Sequence, residues 1–215
     1  MPRQNRVTPE GDVVASPARG LFMGNRGILH DAAGQLGRAR WRNRVWICCQ
    51  LSFRGRHRPV MAPGAYTELF FLDEAVALAA GHRPCAECRR EDFIRFRKAF
   101  GGDMKAAQID AALHAARAVP RAFRQRRHHA DATALPDGTF LLHPDDGVAC
   151  LVLGDAVLPF SQAGYGAGRA RPEGRVVVLT PEPTIRALAG GYRPVLHPSS
   201  GALPGKGGRE RPATA

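Results

Sequence analysis

The sequence predicts an α+β fold, in which a mainly antiparallel sheet surrounds a zinc-stabilised strand-helix-helix centre and a second, mostly β part follows. Two observations lead to this prediction. Residues 66–100 combine an apolar run, an alanine-rich segment and a Cys-x-x-Cys pair, whereas the chain after residue 135 consists of short apolar runs separated by turn residues. With 215 residues, of which 44% are hydrophobic, the chain is long enough to bury a core.

We expect three parts along the chain. Residues 1–129 form a basic, zinc-centred domain, and residues 130–200 form a β-rich part packed on it. Residues 201–215 are rich in Gly and Pro and are expected to be a flexible tail. Within the second part, a helix is predicted from Pro181 or Glu182 to Ala189, with Thr180 as its cap.

The central segment predicts a strand followed by a helix. Residues 69–72 are an apolar run typical of a buried strand, and Asp73 is a suitable N-cap for the alanine-rich stretch after it. Gly81 can end that helix in a left-handed conformation. Pro84 prevents its direct continuation, so residues 81–84 should form a turn.

A second helix is expected to begin near Cys85 or Cys88. Its buried stripe consists of aromatic residues spaced three and four apart, which are Phe93, Phe96 and Phe100. A further helix is predicted over residues 104–119. It is followed by a basic cluster over residues 121–129, of the kind that contacts phosphates.

A long strand, or two strands, is predicted over residues 37–53, because the side chains alternate with a period of two. Trp46 falls on the charged face, where it could stack on a base or pack against arginine. Like charges in a row repel one another unless phosphates or acidic side chains neutralise them. The charged face is formed by Arg38, Arg40, Arg42 and Arg44.

The cysteines predict a metal site. Two thiols three residues apart, Cys85 and Cys88, can bind one ion, and zinc is the usual occupant of such a site. In a regular strand Cys48 and Cys49 face opposite sides, so only one of them can join this pair. The remaining coordination position is left to His57, His82 or the other upstream cysteine.

The stretch Gly81-His-Arg-Pro-Cys-Ala-Glu-Cys88 resembles the metal-binding N-terminal domain of the Ada methyl-phosphotriester DNA repair proteins. In that family a strand, an alanine-rich helix and a Gly-x-Arg-Pro turn lead into two of four zinc thiolates, which the resemblance places at Cys85 and Cys88. Upstream the pattern departs, because the family has two cysteines separated by three residues and this chain has adjacent ones. The resemblance covers roughly 25 residues. It implies a zinc centre and contact with DNA.

Charge also points to a polyanionic partner. The net charge is +12, and residues 1–129 contain 23 Lys and Arg against 11 Asp and Glu, whereas residues 130–215 contain eight of each. Arg89 and Arg90, beside the Cys-x-x-Cys pair, are expected to face phosphates together with the four strand arginines. No apolar run is long enough to cross a membrane, and no secretory segment is evident, so a cytoplasmic protein is expected.

These features favour a zinc-containing protein that binds DNA or RNA, and the Ada resemblance implies a connection to DNA repair. Two alternatives stay open. One is a zinc-dependent enzyme, either a hydrolase or a protein whose Cys48 or Cys49 thiolate accepts an alkyl group. The other is a module whose basic face docks an acidic protein. A zinc deaminase is disfavoured, since the sequence has no His-x-Glu motif.

Overall fold

The computed structural model describes residues 1–55 and 59–201. The α+β class and the second, β-rich part predicted from the sequence are confirmed. None of the described helices has the length and apolar character needed to span a membrane.

The first sheet is built from the N-terminal part of the chain. Its strands are β1 (Gln4–Val7), β2 (Val13–Ala15), β3 (Phe22–Asn25), β4 (Ile47–Gln50), β5 (Leu69–Phe71) and β6 (Arg83–Pro84). They lie in the order β2-β1-β5-β3-β4-β6. The pairings β1 with β5 and β4 with β6 are parallel, and the others are antiparallel.

Four helices accompany the sheets. They are α1 (Glu74–Ala79), α2 (Arg90–Gly101), α3 (Ala106–Arg117) and α4 (Glu182–Ala189). Helices α2, α3 and α4 pack together around Phe96, Leu113 and Leu188. A short hairpin of β7 (Ala118–Val119) and β8 (Arg124–Gln125) follows α3.

The second sheet is antiparallel throughout. Its strands are β9 (His128–Asp131), β10 (Phe140–Leu142), β11 (Ala149–Leu153), β12 (Ala156–Ser161), β13 (Gly164–Tyr165), β14 (Arg169–Ala170) and β15 (Arg175–Val178). Their order is β13-β12-β11-β10-β15-β9, and β14 also pairs with β12. One face packs against the first sheet, because Phe140 and Leu151 share a hydrophobic cluster with Phe71.

Helix α1 is the buried centre of the molecule, and every one of its residues is inaccessible to solvent. Asp73 is its N-cap, as predicted, and the carboxylate accepts from Val76 N at 3.0 Å and from the Tyr165 hydroxyl at 2.7 Å. Gly81 follows the helix with a φ of +81°, which favours glycine. A Cβ at Gly81 would also lie 2.3 Å from Cδ of Arg117, so no larger residue fits there.

The predicted long strand over residues 37–53 is wrong. Only Ile47–Gln50 is a strand, and residues 38–46 form an irregular loop. The loop is anchored by a bond from Arg42 N to Arg26 O at 2.8 Å. Trp46 is 2% exposed and Val45 is 45% exposed, the reverse of the predicted alternation. Burial of the indole therefore decides the path of this segment.

Smaller differences occur at element ends. Helix α2 begins at Arg90, after a turn over residues 86–89, rather than at Cys85 or Cys88. Helix α4 ends at Ala189 as predicted, but Thr180 does not cap it. The Thr180 hydroxyl instead accepts from Phe140 N at 2.9 Å, which ties the start of α4 to the second sheet.

Candidate metal centre

The parallel pairing of β4 with β6 brings the two cysteine-containing segments together. Cys85 N donates to Cys48 O at 2.9 Å, and Arg83 N donates to Trp46 O at 3.1 Å. The Cys-x-x-Cys turn therefore starts beside the end of β4, at the level of Cys49. Backbone hydrogen bonds, rather than the side chains themselves, fix this neighbourhood.

Three thiols meet at this point. The Sγ atoms of Cys49, Cys85 and Cys88 all lie within 4.8 Å of one another, and we call these residues the thiol cluster. In a tetrahedral zinc site with Zn–S bonds of about 2.3 Å, the sulfurs are about 3.8 Å apart. Soft thiolate donors at this spacing fit zinc well. Among the described residues this is the only group of side chains arranged to hold a metal ion.

Backbone amides around the turn favour thiolates. Glu87 N donates to Sγ of Cys85 at 3.4 Å, and the backbone amides of Cys88 and Gln50 bond to Sγ of Cys85 and of Cys88 respectively. Hydrogen bonds from the thiols of Cys49 and Cys88, together with these amides, place the pKa of Cys85 well below its ordinary value.

The other two thiols show the opposite tendency. Donating to Cys85 and Cys88, together with burial, raises the pKa of Cys49, and the pKa of Cys88 is raised as well. A cluster of one thiolate and two thiols is what a metal ion converts into three thiolates, with release of protons.

Cys48 faces away from the thiol cluster. Its side chain is fully buried in the core shared by the two sheets, and Nη1 of Arg89 lies 3.4 Å from its sulfur. Burial raises the pKa of this thiol. Adjacent residues of a strand point to opposite sides, so the structure assigns Cys49 to the cluster and Cys48 to the core.

Of the two candidate histidines, the one that the structure describes, His82, does not join the thiol cluster. His82 is fully buried, and its ring lies 4.6 Å from that of Phe71, centroid to centroid. Its Nε2 accepts from Nε of Arg26 at 3.4 Å, and His82 is not among the residues whose ligand atoms lie within 4.8 Å of one another. His57 lies outside the described residues.

Arg89 does not face solvent, which corrects its expected role in phosphate contact. It is 3% exposed, and Nη2 lies 2.8 Å from Glu74 Oε2 and 2.7 Å from Asp92 Oδ2. Its guanidinium also covers the Phe22 ring at 4.4 Å. A buried carboxylate on α1 needs a countercharge, and Arg89 supplies it.

The other candidate arginines are distributed differently from the predicted single face. Arg40 is half-buried and donates to Gly37 O at 2.7 Å, so it stabilises its own loop. Arg90, at the start of α2, is exposed. The loop presents three further exposed arginines, which are Arg38, Arg42 and Arg44.

One residue that supports the metal centre was missed from the sequence. Asp110 on α3 binds Arg83 on β6 through two hydrogen bonds of 2.8 Å, and both side chains are buried. This pair connects α3 to the strand that leads into the Cys-x-x-Cys turn. Its position between the apolar Ile109 and Leu113 stripe residues was the available signal, because an acid next to a buried stripe needs a partner.

Comparisons of the chain with protein-family models, with curated protein sequences and with solved structures found no match.

Proposed function

We propose that this protein is a zinc-binding protein that contacts nucleic acid. The observation that carries the proposal is the convergence of Cys49, Cys85 and Cys88 within 4.8 Å. Zinc bound there would link the end of β4 to the turn before α2 and stabilise the fold. The similarity of the Gly81-to-Cys88 stretch to the Ada metal-binding domain supports the same conclusion.

The nucleic-acid part of the proposal rests on charge. The net charge is +12, and the excess lies within residues 1–129, which also contain the thiol cluster. Exposed arginines at Arg38, Arg42, Arg44 and Arg90 are available for phosphates, whereas Arg89 is not. A link to DNA repair would follow if the bound nucleic acid is DNA and the Ada similarity extends to function.

Metal content of serine variants tests the first part. Cys49→Ser, Cys85→Ser and Cys88→Ser should each lose zinc, measured by elemental analysis of protein purified without chelator. Cys48→Ser and Cys150→Ser replace buried cysteines outside the cluster and should keep the wild-type stoichiometry. Equal zinc in all five variants, or none in the wild type, would overturn the proposal of a metal centre.

Binding of a polynucleotide at several salt concentrations tests the second part. We expect the logarithm of the affinity to fall steeply with the logarithm of the salt concentration, because each neutralised phosphate releases counterions. Arg42→Gln together with Arg44→Gln should reduce the slope. An acidic polypeptide with the same net charge as the polynucleotide serves as the control. A module that docks acidic proteins would bind this polypeptide as tightly as it binds the polynucleotide.

The exposure of one thiol favours a second candidate, an alkyl-accepting centre. Cys88 is partly exposed, whereas Cys49 and Cys85 are buried. A thiolate there would attack the methyl carbon of a phosphotriester, forming an S–C bond and breaking the C–O bond, with a phosphodiester anion as leaving group. Intact mass after incubation with methyl-phosphotriester DNA should show one added methyl group, mapped to Cys88. An unchanged mass would exclude this candidate and leave a binding role.

A further inference from the structure

A cavity of about 550 Å³ lies on the basic part of the molecule, away from the residues of the thiol cluster. The turn at Gly11, the loop over residues 38–46 and the β7–β8 hairpin contribute its walls. Aromatic rings, arginines and two carboxylates line it, together with Val119 and Gln125. Such a mixture of stacking surface and a few converging polar groups is typical of a small-molecule or nucleotide site.

The aromatic wall is centred on Trp41. Its ring lies 5.1 Å from that of Phe123 and 5.5 Å from that of Trp46, between ring centroids. Trp46 is buried, but Trp41 and Phe123 are each only partly covered. Trp41 and Phe123, whose planes are 67° apart, therefore each offer a partly exposed ring on which a flat ligand can stack.

The basic wall is formed by β8 of the β7–β8 hairpin and by the residues that directly follow it. Arg124 and Arg127 are exposed, and both line the cavity. Arg126, which also lines the cavity, donates through Nε to Ala118 O at 3.1 Å, and this bond fixes the position of its guanidinium. An anion entering the cavity would thus meet several guanidinium groups, which outnumber the two carboxylates of the lining.

Backbone strain occurs at the same place. Phe123 has a φ of +49° and Arg121 a φ of +63°, although neither is glycine. Such conformations cost free energy and persist where the surrounding structure imposes them, often at binding sites. Here the strained turn sets the Phe123 ring beside Trp41.

We propose that this cavity, the Trp41 pocket, receives one unpaired nucleotide. The base stacks on the face of one of the two rings, Trp41 or Phe123, and contacts the edge of the other, since their planes are 67° apart. Its phosphate lies at Arg124 and Arg127. The carboxylates of Glu10 and Asp12, which also line the cavity, can accept hydrogen bonds from base amino groups. A cationic ligand is disfavoured by the arginines, and a paired base cannot leave its stack without cost. This proposal rests on the proposed function, and it specifies that the bound nucleic acid is single-stranded.

Fluorescence titration with three probes tests the proposal: an unstructured octanucleotide, the same sequence as a duplex, and a nucleoside 5′-monophosphate. We expect Trp41→Leu and Phe123→Leu to weaken binding of the single strand by roughly tenfold or more while leaving its salt dependence unchanged. Arg124→Gln and Arg127→Gln should each lower the salt slope by about one. Tm measurements check that the variants are folded.

Two matched controls accompany these variants. Phe160→Leu changes a partly buried ring of β12, and Arg175→Gln changes an exposed arginine of β15, both in the second sheet. Neither should alter single-strand affinity. Wild-type binding that is equal for duplex and single strand, or unchanged in Trp41→Leu and Phe123→Leu, overturns the pocket while the proposed function stands.

The remaining outcomes also decide. Binding of none of the three probes at low salt overturns both the pocket and the nucleic-acid function. Binding of the monophosphate, weakened by Trp41→Leu, without binding of either polymer supports the pocket and overturns the polymer as its source. Binding of the single strand, with the expected losses, supports both.

Discussion

The molecule contains two regions of buried arginine that are neutralised in different ways. Around the thiol cluster, each buried arginine binds carboxylates directly. Arg83 binds both oxygens of Asp110, and Arg89 binds Glu74 and Asp92. These arginines neutralise carboxylates that the fold also buries, those of Glu74 and Asp110.

Around Trp46 the buried arginines have no such partners in the part of the chain that the structure describes. Arg26 and Arg117 stack on the indole at 4.4 and 3.8 Å, from Cζ to the ring centroid. Their polar partners among the described residues are carbonyl groups and the His82 ring. Burial lowers the pKa of Arg26 to about 9, although the charge of Asp12 opposes the fall. Burial also places the pKa of Arg117 well below its ordinary value.

The difference shows what each region can do. In the first region the charges cancel, so its arginines hold the fold and are not available to a ligand. In the second region the positive charge is only partly balanced, and Arg26 lines the Trp41 pocket. A site with uncompensated buried cations is one where an anionic ligand gains most from binding.

The largest effect is expected for Arg89→Met. It leaves Glu74 buried with no countercharge, and removing one partner of a buried pair costs about 3–5 kcal/mol. Urea denaturation of the variant and the wild type, at equal measured metal content, should show this loss. Arg90→Met, at the exposed neighbouring position, is the control and should change stability little. A loss below about 1 kcal/mol for Arg89→Met would break the distinction between the two regions.

A somewhat smaller loss, about 3 kcal/mol, is expected for Asp110→Asn. The guanidinium of Arg83 keeps a bond to Pro84 O at 3.0 Å and a contact with the Phe93 ring at 5.0 Å, which soften the effect. The same denaturation experiment measures it, with the exposed Asp103→Asn as control. Equal stability of the two variants would mean that the pair contributes nothing.

Arg26→Met should cost less, about 1–2 kcal/mol, because it removes a buried cation and strands no carboxylate. The carbonyls of Gly11 and Ala80 lose one donor each, and the methionine side chain still covers Trp46. Arg19→Met, at an exposed position, is the matched control. A loss as large as that of Arg89→Met would show that Arg26 has a countercharge after all.

The smallest effect concerns pH. Burial, with the charges of Arg26 and Arg117, places the pKa of His82 well below its ordinary value, so the folded state keeps it neutral. Its contribution is fully present above the unfolded pKa of about 6.5 and is lost as pH falls, by up to about 1.4 kcal/mol per unit. Stability of wild type and His82→Phe is compared from pH 7 to pH 5.5 at equal, measured zinc content.

Between pH 7 and pH 5.5 we expect the free energy of unfolding to fall less in His82→Phe than in the wild type. The difference corresponds to the one proton that His82 binds in the unfolded state. Identical pH profiles would mean that the surroundings of His82 do not penalise its charged form. That result would count against the conclusion that the positive charge near Trp46 is only partly balanced.

Local features of the sequence were sufficient for much of the framework. The Asp73 cap, the left-handed Gly81 and the aromatic stripe of α2 depend on residues within a few positions of one another. The Cys-x-x-Cys pair is equally local, so Cys85 and Cys88 could be predicted as candidate metal ligands without knowledge of the fold. Helix α4 and the main strands of the second sheet followed from the same kind of pattern.

The sequence by itself determined the α+β class and the short-range features, including the Cys-x-x-Cys pair of Cys85 and Cys88. The choice of Cys49 over Cys48 needed the parallel pairing of β4 with β6, a contact across more than thirty residues. The fate of the arginines was decided in the same way, since Arg89 and Arg90 are neighbours in the chain and only one meets a buried carboxylate. Burial and pairing free energies depend on groups brought together by folding, and no local pattern records which groups those will be.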